Sequence, residues 1–235
     1  MDYIAKSLRD IAEGYVKDQV LSAQLQSGDK VIEADIADVL SISRAPVREA
    51  LKALSQQGMI IFSPRRGHFV PEMSREEIFE VFQIRISLEL QVMRILIYNK
   101  MLHSSDYDAL LDLSKQMKEA GQKTTEESQR IYLLNNLDIS FHRYLWNASK
   151  SHRRAGLLEG LFFQLLIVMN NNVESLGSGD EKAEEHFLLV EALKTNDIAK
   201  VCSELRHHLD KYIIAALGTL SEEETNILEA VFHPE

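Results

Sequence analysis

Apolar side chains recur every three or four residues along most of the chain, the spacing of one buried helix face. Ile4, Leu8, Ile11, Ala12, Tyr15, Val16 and Val20 predict a first helix within 3–24. Ile36, Ala37 and Leu40 predict a short one over 33–40, and Val47, Leu51 and Leu54 another that Gly58 ends. Ser43 stands at its N-cap, and Pro46 is tolerated because it falls in the first turn. The period then breaks. Met59-Ile60-Ile61-Phe62, Ser63-Pro64-Arg65-Arg66-Gly67 and His68-Phe69-Val70 read as strand, turn and strand, with Lys30-Val31-Ile32 a short strand able to pair with them.

Two short helices joined by Ser41-Ile42-Ser43 and followed by a basic-tipped hairpin describe a winged helix-turn-helix. In that arrangement the second helix enters the major groove, and its first residues meet base edges. Arg44 and Arg48, one turn apart, point away from the apolar face, and Arg65 and Arg66 stand at the hairpin tip.

After the linker Pro71-Glu72-Met73 the periodicity is helical to the end. Ser74-Arg75-Glu76-Glu77 is a capping-box pattern opening a helix to about Asn99. Further helices are predicted from Asp106 to Ala120, ended by Gly121, and from Thr125 to Ala148, Arg153 to Glu174, Asp180 to Lys194 and Asp197 to Leu217. Only Thr195-Asn196 separates the last two, which forces an antiparallel hairpin. Residues 221–235 hold one weak amphipathic stretch. The expected fold is mainly α, with residues 1–72 a winged helix-turn-helix DNA-binding domain and 73–235 an all-helical bundle.

Charge sharpens this picture. The formal net charge of −10 argues against indiscriminate coating of nucleic acid. Residues 1–72 are nearly balanced, with 9 Lys/Arg against 10 Asp/Glu, and their cations cluster at Arg44, Arg48, Lys52, Arg65 and Arg66. One cysteine, Cys202, excludes an internal disulfide framework and fits a reducing compartment. No apolar run approaches bilayer length, and the first residues lack a signal-peptide core, so the expected location is cytoplasmic.

Four polar residues fall on apolar helix faces. Asp138 and His142 are four apart, on the face that carries Ile131, Leu134 and Leu145. Across the Thr195 connection His186 and His208 are nearly level, offset by ~3 Å. His186 shares its stripe with Ala183, Leu189, Val190 and Leu193; His208 falls with Val201, Leu205 and Tyr212, whereas His207 shares a face with Lys200, Ser203 and Lys211 and should be solvated. One carboxylate and three imidazoles converging in a helical core make a site for a divalent transition metal, Zn²⁺, Ni²⁺, Co²⁺, Mn²⁺ or Fe²⁺, among which ligand type does not choose. Arg85 lies on the inner stripe of its helix, where it can pair with Glu89 or clamp an effector carboxylate. Asn170-Asn171-Asn172 either lines the effector pocket or caps and frays a helix end, the second being favoured; Trp146, Phe141, Phe162 and Phe163 are core residues, and Cys202 packs.

The stretch Val39-Leu40-Ser41-Ile42-Ser43-Arg44-Ala45-Pro46-Val47-Arg48-Glu49-Ala50-Leu51, with Arg66-Gly67-His68-Phe69-Val70 at wing distance, resembles the GntR superfamily of bacterial transcription regulators. The helical part resembles the FCD effector domain of its FadR-like branch, through Arg85 to Glu89, Asp138 to His142, Glu185-His186 and Leu205 to Leu209. The resemblance implies that Arg44 and Arg48 contact an operator, with Ser43 and Ala45 beside them, and that Arg66 and Gly67 sit at the wing tip near the minor groove. Ala34 stands where some members carry an arginine, which bears on the operator sequence rather than on DNA binding. The function expected is a ligand-responsive regulator, a repressor, binding a palindromic double-stranded DNA operator as a homodimer. Its effector would be a small carboxylate or sugar acid bound near the metal, with no membrane partner. The competing readings are a metal-dependent hydrolase, against which no further Glu or His is recognisably placed as general base, and a DNA-binding regulator without metal.

Overall fold

The computed structural model describes residues 7–170 and 178–232, which form ten helices and one three-stranded sheet. Helix α1 (Leu8–Leu21) opens on a reciprocal cap: the Ser7 hydroxyl accepts from the Asp10 N–H and the Asp10 carboxylate accepts from that of Ser7. Residues 3–6 of the predicted first helix lie outside the described residues. Ala12, Val16 and Val20 bury the inner face of α1.

Helix α2 (Glu33–Leu40) ends at Ser41, whose left-handed backbone (φ 53°) returns its N–H to the Ala37 and Asp38 carbonyls and so makes the tight turn. Helix α3 (Arg44–Gln56) follows, with Val47, Ala50, Leu51 and Leu54 buried. Ser43 is its N-cap by position, but its side chain makes no capping bond. Gly58, at φ 73°, supplies the turn that a side chain would strain. Strand β2 (Ile61–Ser63) begins two residues later than expected, because Met59 and Ile60 are buried in the core instead of pairing. The antiparallel sheet runs β1 (Lys30–Val31), β3 (Gly67–Phe69), β2.

The helical part comprises α4 (Arg75–Tyr98), α5 (Ser104–Lys123), α6 (Glu127–Ala148), α7 (His152–Asn170), α8 (Gly179–Lys194), α9 (Ile198–Leu217) and α10 (Glu222–Phe232). Ser74 and Glu77 cap α4 reciprocally, as their spacing predicts. Gly121 does not end a helix: α5 continues through it to Lys123. Its role is proximity, since a Cβ there would lie 2.7 Å from the Gly179 Cα and would push α5 and α8 apart. Asn196 (φ 54°) closes the α8–α9 hairpin and Asp197 caps α9. The weak amphipathic tail folds as α10, burying Leu228 and Phe232 and pairing Arg206 with Glu229 at 2.6 Å. Trp146, Phe141, Phe162, Phe163 and Cys202 are buried, as expected.

The winged unit is docked on α6 and α7 by directed bonds. The last turn of α1 leaves carbonyls without helical partners. The Asn170 amide donates to the Val20 carbonyl at 2.6 Å, and the Asn135 amide to that of Leu21 at 3.0 Å. Asn170 thus caps another helix rather than fraying its own; Asn171 and Asn172 lie outside the described residues. Lys17 pairs with Glu159 at 2.9 Å, and Gln164 donates to the Gln57 carbonyl at 2.7 Å. Among the described residues no helix is long and apolar enough to cross a membrane.

Candidate metal centre and nucleic-acid interface

Helices α6, α8 and α9 bring Asp138, His142, His186 and His208 together, all buried, with one donor atom from each within 4.8 Å of the others. The Asp138 Oδ1 lies 3.3 Å from His186 Nε2 and 3.5 Å from His142 Nε2, and the His142 and His208 Nε2 atoms face each other at 3.1 Å. Donors about 2.0–2.1 Å from one metal ion stand roughly 3.0–3.4 Å apart, so these separations suit coordination.

The outer nitrogens decide the tautomers. His186 Nδ1 donates to the Lys182 carbonyl at 2.7 Å, His208 Nδ1 faces Glu185 Oε2 at 3.1 Å, and His142 Nδ1 faces Glu89 Oε1 at 3.4 Å without hydrogen-bond geometry. With a proton on each Nδ1, all three Nε2 lone pairs turn inward. Two lone pairs opposed at 3.1 Å repel unless a cation lies between them. Asp138 Oδ1 and His186 Nε2 have no hydrogen-bond partner among the described residues, although both are buried. The orphaned atoms are the ones a metal would take, and the residues therefore fit a divalent transition metal.

Arg85 is buried on α4. Its Nε lies 3.6 Å from Glu89 Oε1 without a hydrogen bond, and its guanidinium stacks over Phe162 at 5.2 Å. Glu89 also accepts from the Trp146 indole at 2.9 Å.

On the winged unit Ser43, Arg44, Ala45 and Arg48 are all exposed at the start of α3. Arg48 is held by Glu33 in a bidentate pair, at 3.0 and 2.7 Å, while Arg44 has no partner among the described residues. Arg65 and Arg66 are exposed at the wing tip, Arg65 in a left-handed conformation (φ 65°) and Arg66 over the Phe69 ring. Gly67 (φ 97°) starts β3 opposite Ser63 rather than standing at the tip itself.

The model of bacterial regulatory proteins of the GntR family matches residues 8–70, and that of the FCD domain matches residues 80–211, more than half of the chain. The chain belongs to the GntR family, with an FCD domain. Similar proteins include the transcriptional regulator McbR of Escherichia coli, 26% identical over 84% of this chain and 86% of the relative. The gluconate operon transcriptional repressor of Bacillus subtilis is also 26% identical, over 88% of this chain and 85% of the relative. The solved structure of E. coli McbR/YncC superposes with a TM-score of 0.74 at 23% identity, covering 97% of this chain and all of that one. A GntR regulator from Rhodococcus gives 0.68 at 20% identity, over 96% and 99%. These likenesses show the fold.

As a GntR/FCD protein it is a DNA-binding transcription regulator and not an enzyme. Glu89, expected only as a partner of Arg85, and Glu185, noted only as part of the family pattern, lie against His142 and His208, contacts that sequence reasoning did not foresee. Burial pushes the Glu89 carboxyl up, but His142, Arg85 and Trp146 outweigh it and hold its pKa below the ordinary value. Burial likewise opposes ionisation of Asp138, yet Lys182, His186 and His142 keep it well below the usual carboxylate range. Burial also keeps His186 and His208 below the ordinary imidazole value, which favours the neutral, ligating form. Lys182 and Tyr212, both within hydrogen-bond reach of Asp138 Oδ2, were missed too. Each stands four residues from a cluster histidine on the same helix, and that spacing was the available signal.

Proposed function

We propose that this GntR/FCD regulator is a homodimeric repressor of a palindromic operator, controlled by a small organic acid that binds beside a divalent metal. Residues 1–72 bind DNA; residues 73–235 hold the metal, the effector and the dimer contact. The observation that carries the reading is the convergence of Asp138, His142, His186 and His208, with Asp138 Oδ1 and His186 Nε2 buried and without a partner among the described residues. Asp138, His142, His186 and His208 would hold the metal, which would supply a Lewis-acidic centre for a carboxylate oxygen, and Glu185 and Glu89 would orient the His208 and His142 rings.

The exposed Ser43, Arg44, Ala45 and Arg48 meet the major groove, and Arg65, Arg66 and Gly67 the neighbouring backbone or minor groove. Arg48 must exchange Glu33 for DNA, so Arg44 is the arginine ready to bind. Ile84 and Tyr98 on α4 and Leu157 on α7 are exposed apolar residues on two packed helices, a face suited to a second copy. The dimer then sets two α3 helices about one DNA turn, ~34 Å, apart. Asn135 lies one turn before Asp138 on α6, so ligation at Asp138 and His142 bears on the seat of α1. Arg85 remains a candidate contact for the effector. A relative named for a gluconate operon agrees with an acid of sugar size.

Metal analysis of tag-free protein reconstituted with Zn²⁺ tests the site. About one ion per chain is expected in the wild type and almost none in a His186→Ala/His208→Ala double variant. Less than about a fifth of an ion per wild-type chain would leave a regulator without metal.

A further inference from the structure

Helix α3 has two ends with different surroundings. Its first turn, with Arg44 and Arg48, stands exposed, while its last is held by α7 of the helical domain. The Gln57 carbonyl, at the C-cap of α3, accepts from the Gln164 side-chain amide at 2.7 Å. Gly160, one turn earlier on α7, lies against the same carbonyl. A Cβ there would stand 3.2 Å from the Gln57 oxygen and 3.6 Å from the Gln57 Cβ. On the other side of the contact, a Cβ at Gly58 would come within 2.7 Å of the Gln164 nitrogen. The Gln57 side chain extends the contact through Glu13, at 3.3 Å, then Lys17 and Glu159, to Arg143 of α6. A glycine inside a helix weakens that helix, and what Gly160 supplies in return is the close approach of α3.

This seat governs more than stability, because α3 is a lever. From Gln57 to its first turn it spans about 20 Å. Val47, Ala50, Leu51 and Leu54 bury it in its own unit, so it moves only as that unit moves. A palindromic operator requires two copies of α3 at one separation and one phase. Changing the separation by one base pair moves a half-site by about 3.4 Å and turns it by roughly 35°. A winged unit tethered only through residues 71–73 would follow such a change; one fixed to its bundle cannot. Arg44 and Arg48 travel with α3, so neither can sense the separation.

We propose that Gln164 and Gly160 are positioning residues for operator recognition: they fix the C-terminal end of α3 to α7 and thereby set the half-site spacing that the protein accepts. Helix α3 reads the bases, and the seat reads the distance between the half-sites. This rests on the homodimer reading above.

Two measurements on the full-length protein, with an operator selected from random duplexes, test this. The first compares duplexes whose half-sites are moved apart or together by one base pair with a duplex carrying a single half-site. Wild-type affinity should fall at least about tenfold on either change, since both units can no longer engage together. Gly160→Val and Gln164→Glu should bind the single half-site as the wild type does. They should discriminate spacing by less than about threefold, or prefer another spacing. Valine forms helix no worse than glycine, and the glutamate sets an anion against the Gln57 carbonyl without a change of shape. A role in stability alone would leave the spacing profile intact, so variants that fold and keep it overturn the inference. Should Gly160→Val fail to fold by circular dichroism, Gln164→Glu decides.

The second measurement locks the seat. The 3.6 Å between the Gln57 Cβ and a Cβ at Gly160 lies within the range of a disulfide. Gln57→Cys/Gly160→Cys in a Cys202→Ala background should therefore close one on oxidation. The oxidised protein should bind the operator with the wild-type spacing optimum, and dithiothreitol should relax that preference. A pair that does not close, or a locked protein that no longer binds, overturns the inference. So does a wild type that places two chains on each duplex yet is indifferent to spacing. One chain per duplex in sedimentation overturns the homodimer reading itself, a separate outcome.

Discussion

Three imidazoles in the helical domain each turn one nitrogen toward an oxygen acceptor, and the remaining nitrogens meet in the middle. Helix period pairs Asp138 with His142, and the two-residue connection pairs His186 with His208; the family resemblance, not local spacing, brought the two pairs together. Glu89 was legible only as a partner of Arg85 on its own helix, and its contact with His142, like that of Lys182 with Asp138, depends on how α4 and α8 pack against α6. Burial keeps His186 and His208 neutral in the fold, with pKa values below the unfolded value of about 6.5. Their neutral form therefore contributes stability above that pH, and the contribution is lost as pH falls below it toward the folded values, because the unfolded chain takes up protons first. The thermal midpoint of the metal-free protein should accordingly decline below about pH 6.5, before the carboxylates titrate. A midpoint flat down to the carboxylate range would contradict the burial of neutral imidazoles. At the other end of the molecule, Arg44→Ala should weaken operator binding by at least about tenfold. The far-ultraviolet dichroism should not change, because the Arg44 side chain is exposed and has no partner among the described residues; an unchanged gel-shift affinity would remove it from the interface.

Most elements end where their caps and breakers stand. Ser7 with Asp10 and Ser74 with Glu77 close their helices reciprocally, and Gly58 turns the chain out of α3. Gly121 misled because one residue type serves two physical ends: it can stop a helix by its backbone freedom, or let two helices touch by its missing Cβ. Asn170 misled similarly, as an amide that looks like a local cap but reaches the end of α1, 150 residues away in sequence. On the proposed function, the docking of α1 on α6 and α7 is the route by which an effector would reach the winged unit. Asn135→Ala leaves the Leu21 carbonyl unpaired in a buried place, at a cost of about 1–3 kcal/mol. Zn²⁺ uptake and operator binding should persist in that variant, while the change in operator affinity on adding acid shrinks. A full response in Asn135→Ala, measured by fluorescence anisotropy, would mean that the signal travels elsewhere.

At the scale of the molecule the two halves divide the work by charge and burial. The winged unit keeps Arg44, Arg48, Arg65 and Arg66 outside, and the helical bundle encloses Arg85, Glu89, Asp138 and Lys182. Class and architecture follow from patterning, because long helical periods and a basic-tipped hairpin admit few folds, whereas the effector role expected of the bundle came from the family resemblance. The docking of one half on the other does not follow from patterning, since it depends on single amides and on Lys17 meeting Glu159. The most direct test joins both halves in one titration. Operator DNA is selected from random duplexes, and its affinity is measured by anisotropy with the Zn²⁺-loaded wild type and the His186→Ala/His208→Ala double variant, with and without a panel of four- to six-carbon acids. At least one acid should change the wild-type Kd by about tenfold, within the usual range of coupling, while the double variant binds the same DNA and ignores every acid. A double variant that answers the acids as the wild type does would contradict the account.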